Sequence, residues 1–399
     1  MNRSIMKQRL ERITHAYKTL SLIALNAFVV FCLLNLFAYV AGILLEKPAG
    51  ERVIREHGMA KLQRAYPHMD ALQIKDLHRE TWGRSLVYEP LTEFREPASQ
   101  GKYVNVSADG YRMHDKGGGG WPPATNNMTI FVFGGSTTFG YGVADSETIP
   151  ARIQTKIHKL KVGGRPVSVY NFGRGFYTSS QERILFEKLI QGGNLPQVAV
   201  FIDGINEPVF PSEHTELSVD LDNAVREKNG EVWNYGILRR LPIMALVAGQ
   251  TKADRMQLAA AQEASLKRQL QDGADLNYDS ASGVICRRYL DSIRMINAVS
   301  KEFRIRSLFV WQPAPLYNFD PARHPFGADP NHLALPHVYQ RMNALRAKDN
   351  SSKSFLWLAD IQAGRNEPLY VDSVHYSALF SDLIADEIVT RLQALGWLE

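Results

Sequence analysis

Three polar residues with complementary chemistry stand at two distant points of the chain. Ser136 follows the apolar run 128–134 after two glycines, and Asp372 precedes His375 by three residues near the C-terminus. A serine hydroxyl is a weak nucleophile at neutral pH, so it needs an imidazole to take its proton and a carboxylate to fix the imidazole tautomer. Ser136, His375 and Asp372 thus offer the three residue types that nucleophilic catalysis by a serine requires.

Two further turns rich in glycine or polar residues follow apolar runs. They are residues 171–181 (NFGRGFYTSSQ) and residues 203–208 (DGINEP). In open parallel sheets, ligands bind just beyond the carboxyl ends of the strands. These two turns and Ser136 are therefore expected to meet at one edge of a sheet.

Each of these features also has a purely structural interpretation. Ser136 could cap a helix, and His375 could simply begin one. Asn206 could belong to a turn before Pro208. The glycines near 173–175 could serve turn geometry alone. Their joint occurrence favours a site.

Short apolar runs alternate with amphipathic stretches after residue 127, a rhythm typical of parallel strands covered by helices on both faces. We predict a three-layer α/β/α, flavodoxin-like parallel sheet. The predicted strands are 128–134, 167–173, 197–204, 306–313 and 354–360, and the predicted helices lie near 147–160, 179–191, 284–302 and 378–395.

The rhythm divides the chain into regions. Residues 127–399 are predicted to form the main domain, with an insertion at about 208–280 where the alternation breaks. Residues 46–126 read as a connector with helical periodicity at its start and a flexible hinge in the glycine run 117–120 before the main domain.

The N-terminal region predicts a membrane anchor. The run 20–45 carries no charge and exceeds the roughly 20 apolar residues that span a bilayer as a helix, so we interpret it as an uncleaved transmembrane helix rather than a signal peptide. A basic tail, 1–19, precedes it. Lys and Arg are balanced across the helix, so charge gives no clear orientation; we prefer the catalytic domain outside a bacterial cytoplasmic membrane, on the periplasmic side.

Composition excludes several other classes. The net charge of +5 comes mostly from the tail beside the apolar run, so a nucleic-acid-binding face is not indicated. Cys32 and Cys286 are too few for a disulfide framework or a zinc site. The irregularly spaced His324, His332 and His337 do not form a metal pattern, and the glycines near Ser136 fit neither a phosphate loop nor a dinucleotide fingerprint. No metal and no cofactor are expected.

The ordered blocks around Ser136, the 173–175 glycines, Asn206 and the Asp372-x-x-His375 motif resemble the SGNH, or GDSL-like, hydrolase superfamily. The resemblance runs from Thr129 to the C-terminus and implies the SGNH fold. It also implies that Ser136 is the nucleophile, that His375 is its general base and that Asp372 orients His375. The resemblance further implies an oxyanion hole formed by the N–H of Ser136, the N–H of Gly175 and the side-chain amide of Asn206.

Two blocks depart from the family pattern. Gly135 stands where the family usually has an acidic residue, and Glu207 replaces the usual aspartate after Asn206. The second block leaves its oxyanion donor open among Gly173, Gly175 and Phe176, with Gly175 preferred.

Substrate contacts are predicted mainly by position. Gly173, Phe176, Glu207 and Trp311 are the candidates, and Trp311, Tyr317 and Phe319 could stack on sugar rings or belong to the core.

Three functions fit these residues. The leading hypothesis is a membrane-tethered serine esterase that acts on an acyl or acetyl ester of a small molecule or a cell-envelope carbohydrate. The second uses the same residues to transfer the acyl group to a sugar hydroxyl, as a polysaccharide O-acetyltransferase. The third is a non-catalytic glycan-binding or scaffold subunit that retains the fold.

Overall fold

A computed structural model of the chain describes most of the sequence in two compact units. One unit comprises Met1–Lys47 with Asn223–Gln262, and the other comprises Pro48–Asp222 with Glu263–Glu399. The described residues are 3–45, 49–114, 120–160, 165–209, 241–243, 281–327, 332, 334–348 and 353–398. Most of the predicted insertion at 208–280, and most of the predicted glycine hinge, lie outside these residues.

The first unit contains one long helix, α1 (Arg3–Leu45). Its segment Met6–Ala41 is long and apolar enough to cross a membrane, with a mean hydropathy of 2.4 over its most apolar stretch, and it lies near the N-terminus, where a signal sequence has the same character. The helix begins at Arg3, so it includes most of the basic tail predicted over 1–19 as well as the apolar run that follows.

A polar side chain lies within this apolar helix. Asn35 donates from Nδ2 to the carbonyl oxygen of Phe31 at 2.9 Å and accepts at Oδ1 from the N–H of Ile243 at 3.2 Å. An amide among apolar residues is costly unless its donors and acceptor are satisfied. Both ends of the Asn35 amide therefore have partners in this unit.

The second unit is built on a five-stranded sheet in which every neighbouring pair is parallel. A separate antiparallel hairpin precedes it in the chain, formed by β1 (Val87–Glu89) and β2 (Glu93–Arg95). The sheet strands are β3 (Met128–Gly134), β4 (Val167–Asn171), β5 (Val198–Asp203), β6 (Arg306–Trp311) and β7 (Phe355–Trp357). Their spatial order is β4-β3-β5-β6-β7, which is the flavodoxin-like order. The predicted α/β fold class is confirmed.

The order of the strands fixes where a ligand should bind. The chain leaves β3 towards β4 on one side and later returns to place β5 on the other side, so the strand order reverses next to β3. The crevice outside the carboxyl ends of β3 and β5 is therefore the switch point at which open sheets bind ligands.

The helices α2 to α11 surround this sheet. Their bounds are α2 (Arg52–His57), α3 (Met59–Ala65), α4 (Ala71–Trp82), α5 (Ser136–Phe139), α6 (Ile149–Leu160), α7 (Ser179–Gln191), α8 (Asn206–Val209), α9 (Ala281–Glu302), α10 (Leu335–Lys348) and α11 (Ala378–Ala394). The amphipathic stretches predicted as helices correspond to α6, α7, α9 and α11.

Both faces of the sheet are buried, which explains why its strands read as continuous apolar runs. In β3, Ile130 and Val132 belong to a core cluster that includes side chains of α6 and α11. Phe131 and Phe133 point to the opposite face, where they join a second cluster with Phe186 of α7. The result is the three-layer arrangement predicted from the sequence.

The region predicted as a connector, 46–126, is largely part of the second unit. Leu62 of α3 and Ile74 and Leu77 of α4 have no exposed surface and pack in the same cluster as the sheet. Ile74 and Leu77 lie three residues apart on one face of α4, and the burial of their apolar area, with that of Leu62, holds the two helices in place. This part of the predicted connector therefore packs with the sheet in the second unit.

Candidate active site

The nucleophile candidate lies at the switch point of the sheet. β3 ends at Gly134, and Ser136 is the first residue of the short helix α5, with Gly135 as its N-cap. Backbone amides at the first turn of a helix have no partner within the helix, and the Ser136 N–H donates to no backbone acceptor among the described residues. The Ser136 N–H therefore remains available beside its own hydroxyl.

A tight loop presents the imidazole and the carboxylate. Tyr370 and Tyr376 close this loop through an antiparallel bridge, and the N–H of Val371 donates to the carbonyl oxygen of His375 at 2.9 Å. Asp372 Oδ1 accepts from the N–H of Val374 at 2.8 Å and from that of His375 at 2.7 Å. The side chain of Asp372 thus shapes the loop that carries His375.

The three side chains form a continuous hydrogen-bonded chain. His375 Nε2 lies 2.9 Å from Ser136 Oγ, and His375 Nδ1 lies 2.6 Å from Asp372 Oδ2. Because an ionised carboxylate only accepts hydrogen bonds, Nδ1 carries the hydrogen and Nε2 presents its lone pair to the serine. This is the geometry needed for a base that receives a proton from a hydroxyl.

The carboxylate of Asp372 stays ionised in this loop. Its burial alone would raise its pKa, but the His375 imidazole and the N–H groups of His375 and Val374 outweigh burial, so the pKa lies well below its usual value. A carboxylate that accepts several hydrogen bonds is stabilised in its charged form. Asp372 therefore holds the imidazole by charge as well as by geometry.

The Asn206 side chain reaches the nucleophile turn from the next strand. Asn206 begins α8 directly beyond β5, and its Nδ2 donates to the carbonyl oxygen of Tyr177 at 2.7 Å. A Cβ atom on Gly135 would lie only 2.5 Å from Nδ2. The absence of a side chain at Gly135 is therefore what allows the amide of Asn206 to lie against the residue before Ser136, and it accounts for glycine at this departure from the family pattern.

The structure distinguishes between the backbone donors of the second block. The Gly173 N–H donates to Asn171 Oδ1 at 2.9 Å, and the Arg174 N–H donates to the Gly134 carbonyl oxygen at 2.9 Å. Neither is free to bind a substrate oxygen. The Gly175 N–H has no hydrogen-bond acceptor among the described residues, which keeps Gly175 as the candidate donor.

Gly173 has a different role from the predicted one. A Cβ atom there would lie 2.3 Å from the backbone nitrogen of Phe139 and 2.7 Å from the carbonyl carbon of Thr138. Gly173 therefore allows the second block to pack directly on the backbone of α5, and the prediction that it contacts substrate is corrected.

Phe176, the next residue, has a φ of 65° and is 46% exposed. Side chains other than glycine rarely adopt this left-handed backbone conformation. Its ring lies 6.3 Å from that of Phe94 in β2, edge to face. Phe176 stays a candidate for substrate contact.

Two other predicted substrate contacts are buried away from solvent. Glu207 is 1% exposed and accepts from the N–H groups of Ser179 at 3.0 Å and Gly204 at 2.9 Å, so it joins the second and third blocks. Trp311 is fully buried, with its ring 4.8 Å from Tyr289, edge to face. Both predictions are corrected, because the side chains of Glu207 in α8 and Trp311 at the end of β6 both point into the interior.

Aromatic residues that the sequence motifs did not indicate surround the imidazole. The ring of Tyr141 stacks on the imidazole of His375, with the ring centroids 5.5 Å apart. The ring of Trp82, from α4, meets the same imidazole edge to face, with the centroids 5.8 Å apart. As a result, the side chain of His375 is only 13% exposed. Trp82 lay in the predicted connector, where no motif distinguished it.

A buried arginine supports the end of the nucleophile helix. The guanidinium of Arg112 donates to the carbonyl oxygens of Phe139 at 2.9 Å and Gly140 at 2.6 Å, and it pairs with Asp145 at 2.9 Å. Carbonyl groups at a helix end lack partners within the helix and favour a positive charge. Arg112, from outside the predicted main domain, therefore fixes the turn that follows Ser136.

Among the described residues, no group of three or more His, Cys, Asp and Glu side chains is arranged to hold a metal ion. His324 lies instead against Tyr370, with ring centroids 4.8 Å apart and nearly parallel planes. Burial lowers the pKa of His324 to about 4.

Solved structures similar to this chain are lipolytic proteins, esterases and acylhydrolases. An acetyl xylan esterase is 12% identical, with a TM-score of 0.37 and coverage of 66% of this chain and 98% of that one. A lipase/acylhydrolase from Enterococcus faecalis is 15% identical, with a TM-score of 0.36 and coverage of 67% and 95%. A member of the lipolytic protein G-D-S-L family from Veillonella parvula is 12% identical, with a TM-score of 0.35 and coverage of 66% and 97%.

No protein-family model matches this chain, and the search of curated proteins gives no match.

Proposed function

We propose that this chain is an SGNH-like serine hydrolase that cleaves an acyl or acetyl ester through Ser136, His375 and Asp372. The observation that carries the proposal is the chain of two hydrogen bonds from Ser136 Oγ through the imidazole to Asp372, 2.9 and 2.6 Å long. Serine, imidazole and carboxylate in this order define a nucleophile, a base and an orienting group whatever the fold.

In the proposed reaction, Ser136 Oγ attacks the ester carbonyl carbon while His375 Nε2 takes the hydroxyl proton. The alcohol then leaves as its bond to the carbonyl carbon breaks, and it receives that proton from His375. Water attacks the acyl-serine in the same way, with His375 again as base. Asp372 remains ionised throughout and stabilises the imidazolium.

The negative charge that develops on the carbonyl oxygen needs donors placed in advance. We assign them to the N–H of Ser136, the N–H of Gly175 and the Nδ2 group of Asn206, which follow strands β3, β4 and β5. Such donors act strongly where water is excluded. The proposal for Gly175 is supported by the other acceptors that already engage the N–H groups of Gly173 and Arg174.

Turnover of p-nitrophenyl acetate by the full-length protein in detergent tests this proposal. We expect hydrolysis by the wild type and a loss of about 10³-fold or more in Ser136→Ala. A wild type without turnover would contradict the proposal. Equal cellular phenotypes of wild type and Ser136→Ala would instead favour the scaffold hypothesis.

A second candidate is transfer of the acyl group to a sugar hydroxyl. It is favoured by Trp82 and Tyr141, which cover His375 on two sides and limit the approach of water to the base. Exclusion of water suppresses hydrolysis of a reactive intermediate. If a glycan acceptor diverts the acyl group from acetate release into an acetylated product, transfer is the main reaction; unchanged acetate release would argue for hydrolysis.

We also propose that α1 anchors the protein in a bacterial cytoplasmic membrane, with the catalytic unit on the periplasmic side. The length and hydropathy of Met6–Ala41 support a span. A reporter enzyme that is active only in the periplasm, fused after Glu399, should be active in cells. An inactive but stable fusion would contradict this orientation.

A further inference from the structure

One glutamine contacts the neighbours of both the nucleophile and the base. Gln312 follows β6, and its Oε1 atom accepts from the hydroxyl of Thr137 at 2.7 Å. The hydroxyl of Tyr376 donates to the carbonyl oxygen of Pro313 and also lies 3.0 Å from Gln312 Oε1, so its hydrogen is shared between these two acceptors. Thr137 directly follows Ser136, and Tyr376 directly follows His375. A single side chain therefore joins the nucleophile turn to the loop that carries the base.

The surroundings of Gln312 make this bridge rigid. Its N–H donates to the Asp203 carbonyl oxygen at 2.9 Å, and its own carbonyl oxygen accepts from the Tyr339 hydroxyl at 2.9 Å. Gln312 is 2% exposed, Thr137 is 4% exposed and Tyr376 is 2% exposed. Hydrogen bonds in such a buried network are costly to break, because each leaves a polar atom without a partner.

We propose that Gln312 is a positioning residue that sets the distance between Ser136 Oγ and His375 Nε2. The inference rests on the proposed function of this site. The bond between Ser136 and His375 changes each time the proton moves, whereas the bonds of Gln312 take no part in the reaction. The contacts of Gln312 thus keep the nucleophile turn and the loop that carries His375 at a fixed distance through every step. A misplacement of about 1 Å costs on the order of 100-fold in rate.

The substitution Gln312→Met tests the bridge, because methionine has a similar length but offers no amide. We expect kcat for p-nitrophenyl acetate to fall by about 10-fold or more, with KM changed by less than about 2-fold. Thr137→Val and Tyr376→Phe each remove one hydroxyl and should lower kcat as well. Thr137→Ser keeps the hydroxyl and should retain most of the activity.

A double-mutant cycle separates positioning from a general loss of stability. Because Thr137 and Tyr376 act through the same side chain, the combined loss in kcat for Thr137→Val with Tyr376→Phe should be smaller than the product of the two single losses. If these residues served stability alone, the two losses of kcat would be independent of each other. Each loss would then parallel the fall in melting temperature of its variant. This cycle also decides the question if Gln312→Met does not fold.

Thr129→Val provides a matched control. Thr129 is also buried and its hydroxyl donates to a glutamine, Gln197 Oε1, at 2.9 Å, but it lies at the opposite edge of the sheet, where β3 begins. This variant should keep the kcat of the wild type even if its melting temperature falls. Equal losses of kcat in Thr129→Val and Thr137→Val would contradict the inference.

The rate of acylation of Ser136 tests the role of Gln312 directly. It is measured in the full-length protein in detergent, by rapid mixing with p-nitrophenyl acetate. We expect slow acylation in Gln312→Met. In the double-mutant cycle, we expect a combined loss of kcat smaller than the product of the two single losses. Normal acylation in Gln312→Met, or multiplicative losses in the cycle, would overturn the role of Gln312 while leaving the proposed function intact. A wild type that is not acylated at Ser136 would overturn both.

Discussion

At the residue scale, the candidate site depends on a few atoms held in fixed directions. The loop around Asp372 orients His375 through two backbone N–H groups and the imidazole. The amide of Asn206 is oriented by the carbonyl oxygen of Tyr177, which occupies one of its two hydrogens. The second hydrogen of that amide is therefore the one available to a substrate oxygen.

Asn206→Ala removes this donor without touching the nucleophile or the base. We expect kcat to fall by about 10² to 10³-fold with a much smaller change in KM, because the donor acts on charge that develops in the transition state. Steady-state kinetics with p-nitrophenyl acetate provide the measurement. Asn127→Ala is a suitable control, since Asn127 bonds Ser168 just before β3, at the other edge of the sheet; a similar loss there would argue against an oxyanion role for Asn206.

At the element scale, close backbone packing positions the nucleophile. The second block lies directly on α5 because Gly173 has no side chain, and Arg112 holds the end of the same helix through its carbonyl groups. These contacts join segments that lie far apart in the sequence. They place Ser136 relative to the Gly175 and Asn206 donors.

Gly173→Ala should therefore displace α5. The new methyl group would overlap backbone atoms of Thr138 and Phe139, which cannot move as a side chain can. We expect a lower melting temperature and a loss of activity of about 10-fold or more. Gly120→Ala introduces the same methyl group where no atom lies within 4 Å, and it should behave as the wild type. Full activity in Gly173→Ala would show that the close approach is unimportant.

The motifs and the larger helices and strands could be predicted from the sequence because each depends on local pattern. Strand β3 and helix α7 were predicted with their observed bounds. The positions of Trp82 and Gln312 could not be predicted, since each lies far in the sequence from the residues it contacts. Helix α10 was also missed, because a proline and several polar residues obscure its apolar face.

At the scale of the whole molecule, buried titratable groups couple stability to pH. His78 of α4 has no exposed surface, and its Nε2 lies 3.1 Å from the Tyr66 hydroxyl oxygen. Burial lowers the pKa of His78 to about 4, although Asp372 opposes this shift. Burial acts in the opposite direction on acids, and it raises the pKa of Glu182 and Asp203.

The sign of the His78 contribution follows from its lowered pKa. The folded protein favours the neutral imidazole, so the stabilisation is present above pH 6.5 and is lost as the pH falls towards 4. At pH 5 this loss is about 2 kcal/mol, or roughly 3 °C in melting temperature for a unit of this size. The buried acids contribute the reverse dependence on pH. The wild type must therefore be compared with a variant that lacks the His78 imidazole, so that the contribution of His78 can be separated from theirs.

His78→Gln allows this comparison, because glutamine retains a polar group near Tyr66 but does not titrate. We expect the fall in melting temperature between pH 7 and pH 5 to be smaller in His78→Gln than in the wild type. Thermal unfolding of both proteins at the two pH values gives the result. The same fall in both proteins would contradict the assignment to His78.

Covalent labelling of the full-length protein with an active-site phosphonate, followed by peptide mass spectrometry, tests most directly whether Ser136 and His375 form a nucleophile and its base. We expect one adduct on Ser136 in the wild type and strongly reduced labelling in His375→Ala, because the serine then lacks its base. Absence of labelling at Ser136, or equal labelling in His375→Ala, would contradict the claim that these two side chains form a nucleophile and its base.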